Sequence, residues 1–423
     1  MLGLVMTAGG ARGAYQAGVL KRLGELPAFR RRPSPFRIVA GASAGAINGA
    51  TVAAMSGNFY EATCTLAQLW ADLRVPDVFR ADALSLSLNG LRLLQDLLLG
   101  GVFGGAGVQS LLNATPLRAF LEQRLPLSGI AESIRRRHLY AVAVTATSYH
   151  SGKSFTFIQG QPGHPVWRKA RRVALPAELT LDHILASAAI PIVFQPVRLR
   201  SAAGEFWFGD GGLRLVTPLS PAIRLGATKI FAIGIRCQRS ADDLSQSELL
   251  GNGEGKPVMA QPPLSQICGV FLNAIFLDHL DADLDHLRRM NELINAYGNR
   301  GAPLAVPVDN GTPAVEPMRT VDSLAVNPSE DLAIVASHLS HRMPRLVRYL
   351  MDGLGTPDAQ SADLMSYLLF DSSYTRALVD IGYRDAGARI DEIESFLAGA
   401  SPRAVPAVRP ARPPARSTVP VVA

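Results

Sequence analysis

The sequence predicts an α/β fold: a mostly parallel central sheet with helices on both faces, extended by a helical C-terminal region. Three observations carry this. Four near-continuous apolar runs, at 2–7, 37–40, 139–145 and 229–235, read as strands buried on both sides. The first two end in turns of small residues that lead into helical spacing, the strand–turn–helix order of a parallel sheet. Beyond about residue 263, Phe276, Leu280, Leu284, Leu287 and Ile294 hold one helical face.

Taken in order, the 2–7 run ends in the loop Gly9-Gly10-Ala11-Arg12-Gly13, after which 14–23 is helical with Tyr15, Val19 and Leu20 on one side. The 37–40 run ends in Gly41-Ala42-Ser43-Ala44-Gly45 and is followed by a helix over 46–55. Between 84 and 108, Leu91, Leu93, Leu94, Leu97, Leu98 and Leu99 precede a glycine-rich turn, and read either as a core helix with its loop or as an apolar lid. The runs at 139–145 and 229–235 complete the predicted sheet. A polar, glycine-rich stretch at 238–262 separates the unit 1–237 from the mostly helical 263–400. The segment 401–423 carries four arginines, six prolines and no acid, and reads as an extended, disordered tail.

Composition removes several classes. With 423 residues, 48 % hydrophobic and 18 % charged, the chain has the balance of a globular protein. Three cysteines, Cys64, Cys237 and Cys268, form no CxxC pair, which argues against a disulfide framework or a zinc site and for a reducing compartment. The apolar N-terminus lacks a basic segment, so no signal peptide is expected, and no run of about 18 uncharged apolar residues suggests a membrane span. A cytoplasmic location is expected, with peripheral contact at a membrane as an option. Of the net charge of +7, four units lie in the tail, and the weakly basic remainder does not suggest a nucleic-acid partner.

Three elements bear chemistry. Gly41-Ala-Ser43-Ala-Gly45, at a strand–helix junction, has the G-x-S-x-G pattern in which small neighbours let the backbone turn sharply and leave a serine hydroxyl above the sheet. Taken alone, the same residues also fit a tight helix start. The loop Gly9 to Gly13 opens a helix and points amides at an anion; a dinucleotide site fails on spacing, because Ala8 stands where a glycine is needed, so an oxyanion hole remains. Gly209-Asp210-Gly211-Gly212 could be only a turn, but a carboxylate brought beside Ser43 could take its proton.

Together these motifs, with Ala186-Ser-Ala-Ala-Ile-Pro191 and Phe194, resemble the patatin-like phospholipase family over roughly residues 3–220. Ser366-Tyr-Leu-Leu-Phe370 and Ile381-Gly-Tyr-Arg-Asp385 resemble the C-terminal extension of its bacterial members. The resemblance implies a patatin-like catalytic domain at 1–237 and a Ser43–Asp210 dyad. It also implies an oxyanion loop at Gly9, Gly10, Ala11, Arg12 and Gly13, aided by Ala44, and hydrolysis of acyl esters of phospholipids or other lipids at a transient membrane surface, without a cofactor or a metal. Many relatives have glycine where Ala8 stands, which a residue of negative φ tolerates.

Other readings stay open on the sequence. An acyltransferase or thioesterase could use the same acyl-enzyme, and a non-catalytic membrane-associated adaptor could keep the fold. A histidine base among His279, His286, His338 and His341 would suit an α/β-hydrolase, though all four read as polar surface. His279, Asp283 and His286 share a helical face that could tempt a metal assignment; the expectation is a solvated face with its acids pointing outward. Arg12 could hold a lipid phosphate or form a salt bridge across the loop.

Overall fold

In the computed structural model, the described residues are 1–80, 110, 112–201, 204–237, 264–276, 278–298, 305–307, 315–343 and 362–399. Eight strands come from the first 237 residues: β1 (Leu2–Met6), β2 (Ile38–Ala42), β3 (Ala141–Ser148), β4 (Ser154–Gly160), β5 (Arg172–Pro176), β6 (Val197–Ser201), β7 (Gly204–Gly209) and β8 (Lys229–Ile233). β9 (Ala305–Pro307) and β10 (Val315–Pro317) form a separate antiparallel pair, and β11 (Asp322–Val326) returns to the main sheet. The order is β11-β8-β1-β2-β3-β4-β5, parallel from β11 through β3, with β7 pairing antiparallel to the end of β3 and β6 to β7. The sheet is mostly parallel, as the continuous apolar runs predict.

Alternation along β1 shows why those runs are unbroken. Leu4 and Met6 enter the core beneath α1 (Gly13–Gly24) and α2 (Ala44–Ala54), whereas Val5 enters a second core on the opposite face. There Leu280, Leu284 and Leu287 of the helix Asp278–Gly298 cover it. Both faces are dry, so neither needs polar residues.

The C-terminal half is joined closely to this sheet. β11, from beyond residue 237, is its edge strand, and the helix Ser372–Ala388 lies against α1. The approach depends on two glycines: a Cβ on Gly18 would fall 2.0 Å from the Val379 carbonyl oxygen, and one on Gly382 would fall 2.2 Å from that of Tyr15. The Thr375 hydroxyl also donates to the Trp70 carbonyl of the helix Phe59–Asp72 at 2.7 Å.

Two expectations change. β3 runs past Thr145 to Ser148, because its polar residues are buried and bonded: Thr145 pairs with the Thr156 hydroxyl at 3.2 Å, and Thr147 donates to the Asp210 carbonyl at 2.8 Å. The acids of the helix Asp278–Gly298 do not all face water. Asp283 is buried, its carboxylate accepts the Leu219 N–H at 2.8 Å, and desolvation raises its pKa against the pull of that bond. Among the described residues, no cluster of three or more His, Cys, Asp or Glu side chains could hold a metal ion, and no helix is long and apolar enough to cross a membrane. The leucine-rich run at 84–108, the stretch 238–262 and the tail 401–423 lie outside the described residues.

Candidate active site

β2 ends at Ala42 and α2 begins at Ala44, so Ser43 carries the whole reversal between them. Its φ of 55° and ψ of −126° lie in a region that a non-glycine residue occupies at a cost of about 1–3 kcal/mol. Its flanking glycines are required for space. A Cβ on Gly41 would stand 2.1 Å from the Gly45 carbonyl oxygen, and one on Gly45 2.3 Å from that of Met6. The strained backbone is held from the side: the Ser43 N–H donates to the Ser187 hydroxyl at 2.9 Å, which donates to the Thr145 carbonyl at 2.6 Å.

Asp210 follows β7 and is fully buried. Its N–H donates to the Ala189 carbonyl at 2.9 Å, and Oδ1 accepts the Gly212 N–H at 2.8 Å. Oδ2 has no hydrogen-bond partner among the described residues. Desolvation pushes the carboxyl pKa up to about 7, opposed by the Ser43 hydroxyl and the Gly212 N–H. The Ser43 hydroxyl is thus close enough to lower that pKa as a hydrogen-bond donor, although Oδ2 itself makes no fully formed hydrogen bond. A partly protonated carboxyl at neutral pH has the proton affinity that a general base requires.

The loop at the end of β1 forms a tight turn over Gly10–Arg12. Two of its amides are used within the turn, since the Arg12 N–H donates to the Gly9 carbonyl at 3.1 Å and the Gly13 N–H to the Gly10 carbonyl. The Gly10, Ala11 and Ala44 amides have no acceptor among the described residues. Gly10 and Ala44 line the same cavity as Ser43. Behind the loop, Asn48 Nδ2 donates to the Gly13 carbonyl at 3.0 Å and to Gln16 at 2.9 Å, while its Oδ1 accepts from Trp70 Nε1 at 2.7 Å.

Arg12 turns away from the cavity. Its side chain is 3 % exposed, Nη2 meets Asp363 at 2.8 Å, and Nε donates to the Ser366 hydroxyl at 2.7 Å. Of the two roles open on the sequence, the guanidinium takes the salt bridge, and to the C-terminal region instead of across its own loop. Desolvation works against its charge, but Tyr367, Tyr374 and Asp363 outweigh it, and its pKa lies above the ordinary arginine value.

The cavity at Ser43 is narrow and is otherwise lined by apolar side chains, among them Leu69, Trp70, Leu121, Ile190, Phe194 and Phe370. Among the described residues no histidine lines it. His279 and His286 belong to the helix covering the other face of the sheet, and His338 and His341 are exposed. The sequence reading assigned no role to Ser187, Asn48 or Trp70. Only Ser187 had a signal, its place in the Ala186 to Pro191 motif. Gly9 and Gly13 shape the turn; the loop amides and Ser43 lie at the carboxyl ends of β1 and β2, and Asp210 follows β7 beside the carboxyl end of β3, the end at which open parallel sheets hold their sites.

Comparison with known proteins places these motifs in context. A family model described as patatin-like phospholipase matches residues 4–223. No curated protein matches the chain. Among solved structures, VipD from Legionella pneumophila is 12 % identical, with a TM-score of 0.31, covering 92 % of this chain and 66 % of VipD. Human GIVD cytosolic phospholipase A2, in complex with methyl gamma-linolenyl fluorophosphonate, is 14 % identical, with a TM-score of 0.38, covering 95 % of this chain and 60 % of the human protein. The chain therefore spans less than two thirds of either neighbour.

Proposed function

Because the chain belongs to the patatin-like phospholipase family, we propose that it is a serine lipid acyl hydrolase that cleaves acyl esters through a Ser43–Asp210 dyad. The observation that carries this reading is the pairing of a strained, buried serine with a fully buried carboxyl whose Oδ2 is unpartnered and whose pKa is about 7. In the proposed reaction Asp210 takes the proton as Ser43 Oγ attacks the ester carbonyl. The oxyanion forms against the Gly10, Ala11 and Ala44 amides, which are fixed before charge develops. Its collapse expels the alcohol, which receives the proton from Asp210, and leaves an acyl-enzyme. Asp210 then deprotonates a water that releases the acid and restores the serine.

The apolar cavity suits an acyl chain, since burying hydrocarbon there removes it from water at about 25 cal/mol per Å². Phospholipids or other acyl-ester lipids are the proposed substrates, met at a membrane surface. Side chains and backbone amides supply every proton and charge the reaction moves. The test is reaction with a fluorophosphonate probe followed by a lipid-class hydrolysis panel. Labelling confined to Ser43 and release of fatty acid are expected, whereas an unlabelled Ser43 in folded protein would remove the dyad. Adding an alcohol acceptor to the panel distinguishes hydrolysis from acyl transfer.

A further inference from the structure

We propose that Asp363 and Ser366 are positioning residues of the reaction: by gripping Arg12 they fix the glycine loop, so that the C-terminal segment 362–370 completes the catalytic site. The inference rests on the serine-hydrolase reading above. Arg12 is the last residue of the turn Gly10–Arg12, so the orientation of its side chain and that of the loop are mechanically linked. Its planar fork is held on two edges, Nη2 by Asp363 Oδ1 and Nε by Ser366 Oγ, and its face lies 4.4 Å from the centroid of the Tyr367 ring.

The grip is itself braced. Asp363 Oδ2 accepts from Asn273 Nδ2 at 2.8 Å, Asn273 Oδ1 accepts the Tyr367 hydroxyl at 2.9 Å, and Ser366 Oγ donates to the Asp363 carbonyl at 2.5 Å. On the loop side there is no slack, because a Cβ on Gly10 would stand 2.4 Å from the Tyr367 carbonyl oxygen. The same segment also delivers Phe370 to the cavity wall. Without the Asp363 carboxylate, a buried guanidinium loses its counter-charge and must seek water, which pulls the loop out of register. Oxyanion donors act through preset geometry, so such a shift lowers turnover more than substrate binding.

The experiment uses the full chain with Asp363→Asn, Asp363→Glu and Ser366→Ala, assayed on a short soluble ester. kcat, KM, the pH profile and hydrogen exchange of the amides at 9–13 are measured. For Asp363→Asn, kcat should fall about 10²-fold with KM within about twofold and the pH midpoint unmoved. Exchange should quicken at 9–13 and not in β1 or α2, and Asp363→Glu should recover part of both effects. Ser366→Ala, which keeps the ion pair, should lose about tenfold in kcat with faster exchange at the same amides.

An unchanged kcat and unchanged loop exchange in Asp363→Asn would overturn the proposal. So would a raised KM with kcat retained, since Arg12 would then be meeting substrate. If Asp363→Asn loses its fold, Ser366→Ala decides, and a wild-type profile there counts against it. A wild type that neither hydrolyses ester nor labels with fluorophosphonate would defeat the serine-hydrolase reading instead, and the exchange data would still decide whether the grip holds the loop.

Discussion

Replacing Asp210 by asparagine should abolish activity and, at alkaline pH, stabilise the protein. In the folded chain the carboxyl has a pKa of about 7, against about 3.8 for the ordinary group. The folded state therefore holds its proton more tightly than the unfolded one. The associated stability is fully present below about pH 4 and is lost as pH rises through about 7. Some three pH units at about 1.36 kcal/mol each give a ceiling of about 4 kcal/mol. Asparagine does not titrate, so the cost of its amide is the same at both pH values and cancels, and about 3 kcal/mol is the expected gap between pH 4.5 and 8. Denaturant unfolding at pH 4.5 and pH 8 should show wild-type stability falling across the interval by that much more than the variant's. In parallel, wild-type kcat/KM should rise with pH to a plateau above about 7, as the base ionises, while Asp210→Asn loses about 10⁴-fold or more. Equal pH dependence of stability in the two proteins, or a wild-type rate flat from pH 5.5 to 8.5, would refute the claim that this buried carboxyl is the base.

Other consequences can be checked with the same assays. Ser43→Ala should lose on the order of 10⁶ in kcat while keeping the fold, read by ester turnover and circular dichroism. Ser187→Ala should lower stability by about 1–3 kcal/mol and reduce kcat, because it strands the Ser43 N–H and the Thr145 carbonyl in a dry site; an unfolding midpoint equal to wild type contradicts this. Hydrolysis should persist in excess EDTA, and a loss restored by added zinc or calcium would call for a different mechanism.

Much of the sheet was legible because its strands are buried on both faces and announce themselves as unbroken apolar runs. Leu2 to Met6 and Lys229 to Ile233 needed nothing more. The reversal at Ser43 was legible because only glycine fits at 41 and 45, where backbone oxygens stand within 2.5 Å of any added Cβ. β3 was read short because Thr147 and Ser148 look like a strand end, and nothing local reveals that Thr147 will bond the Asp210 backbone. The orientation of Arg12 was not legible at all. Its partners stand more than 350 positions away, and helical spacing says which residues share a face, not which element that face will meet. Asp283 was misjudged for the same reason: its partner is the backbone of Leu219, which carries no side-chain signal.

The long separation between Arg12 and its partners also bears on when the protein becomes active. Asp363 is made 351 residues after Arg12, an interval of roughly 20–70 s at about 5–20 residues per second. Ser43 and its elbow are made early in that interval and most of the sheet before its last third, while the segment that grips Arg12 and the helix that lies across Gly18 do not yet exist. A contact of such sequence separation also pays a larger loop-closure entropy than the neighbouring strand pairings, so it forms late even in the finished chain. Until those elements dock, the glycine loop is ungripped, and the proposed reaction should be correspondingly slow. Ribosome-bound chains stalled before residue 363 should carry no fluorophosphonate-reactive serine, while chains released at full length should.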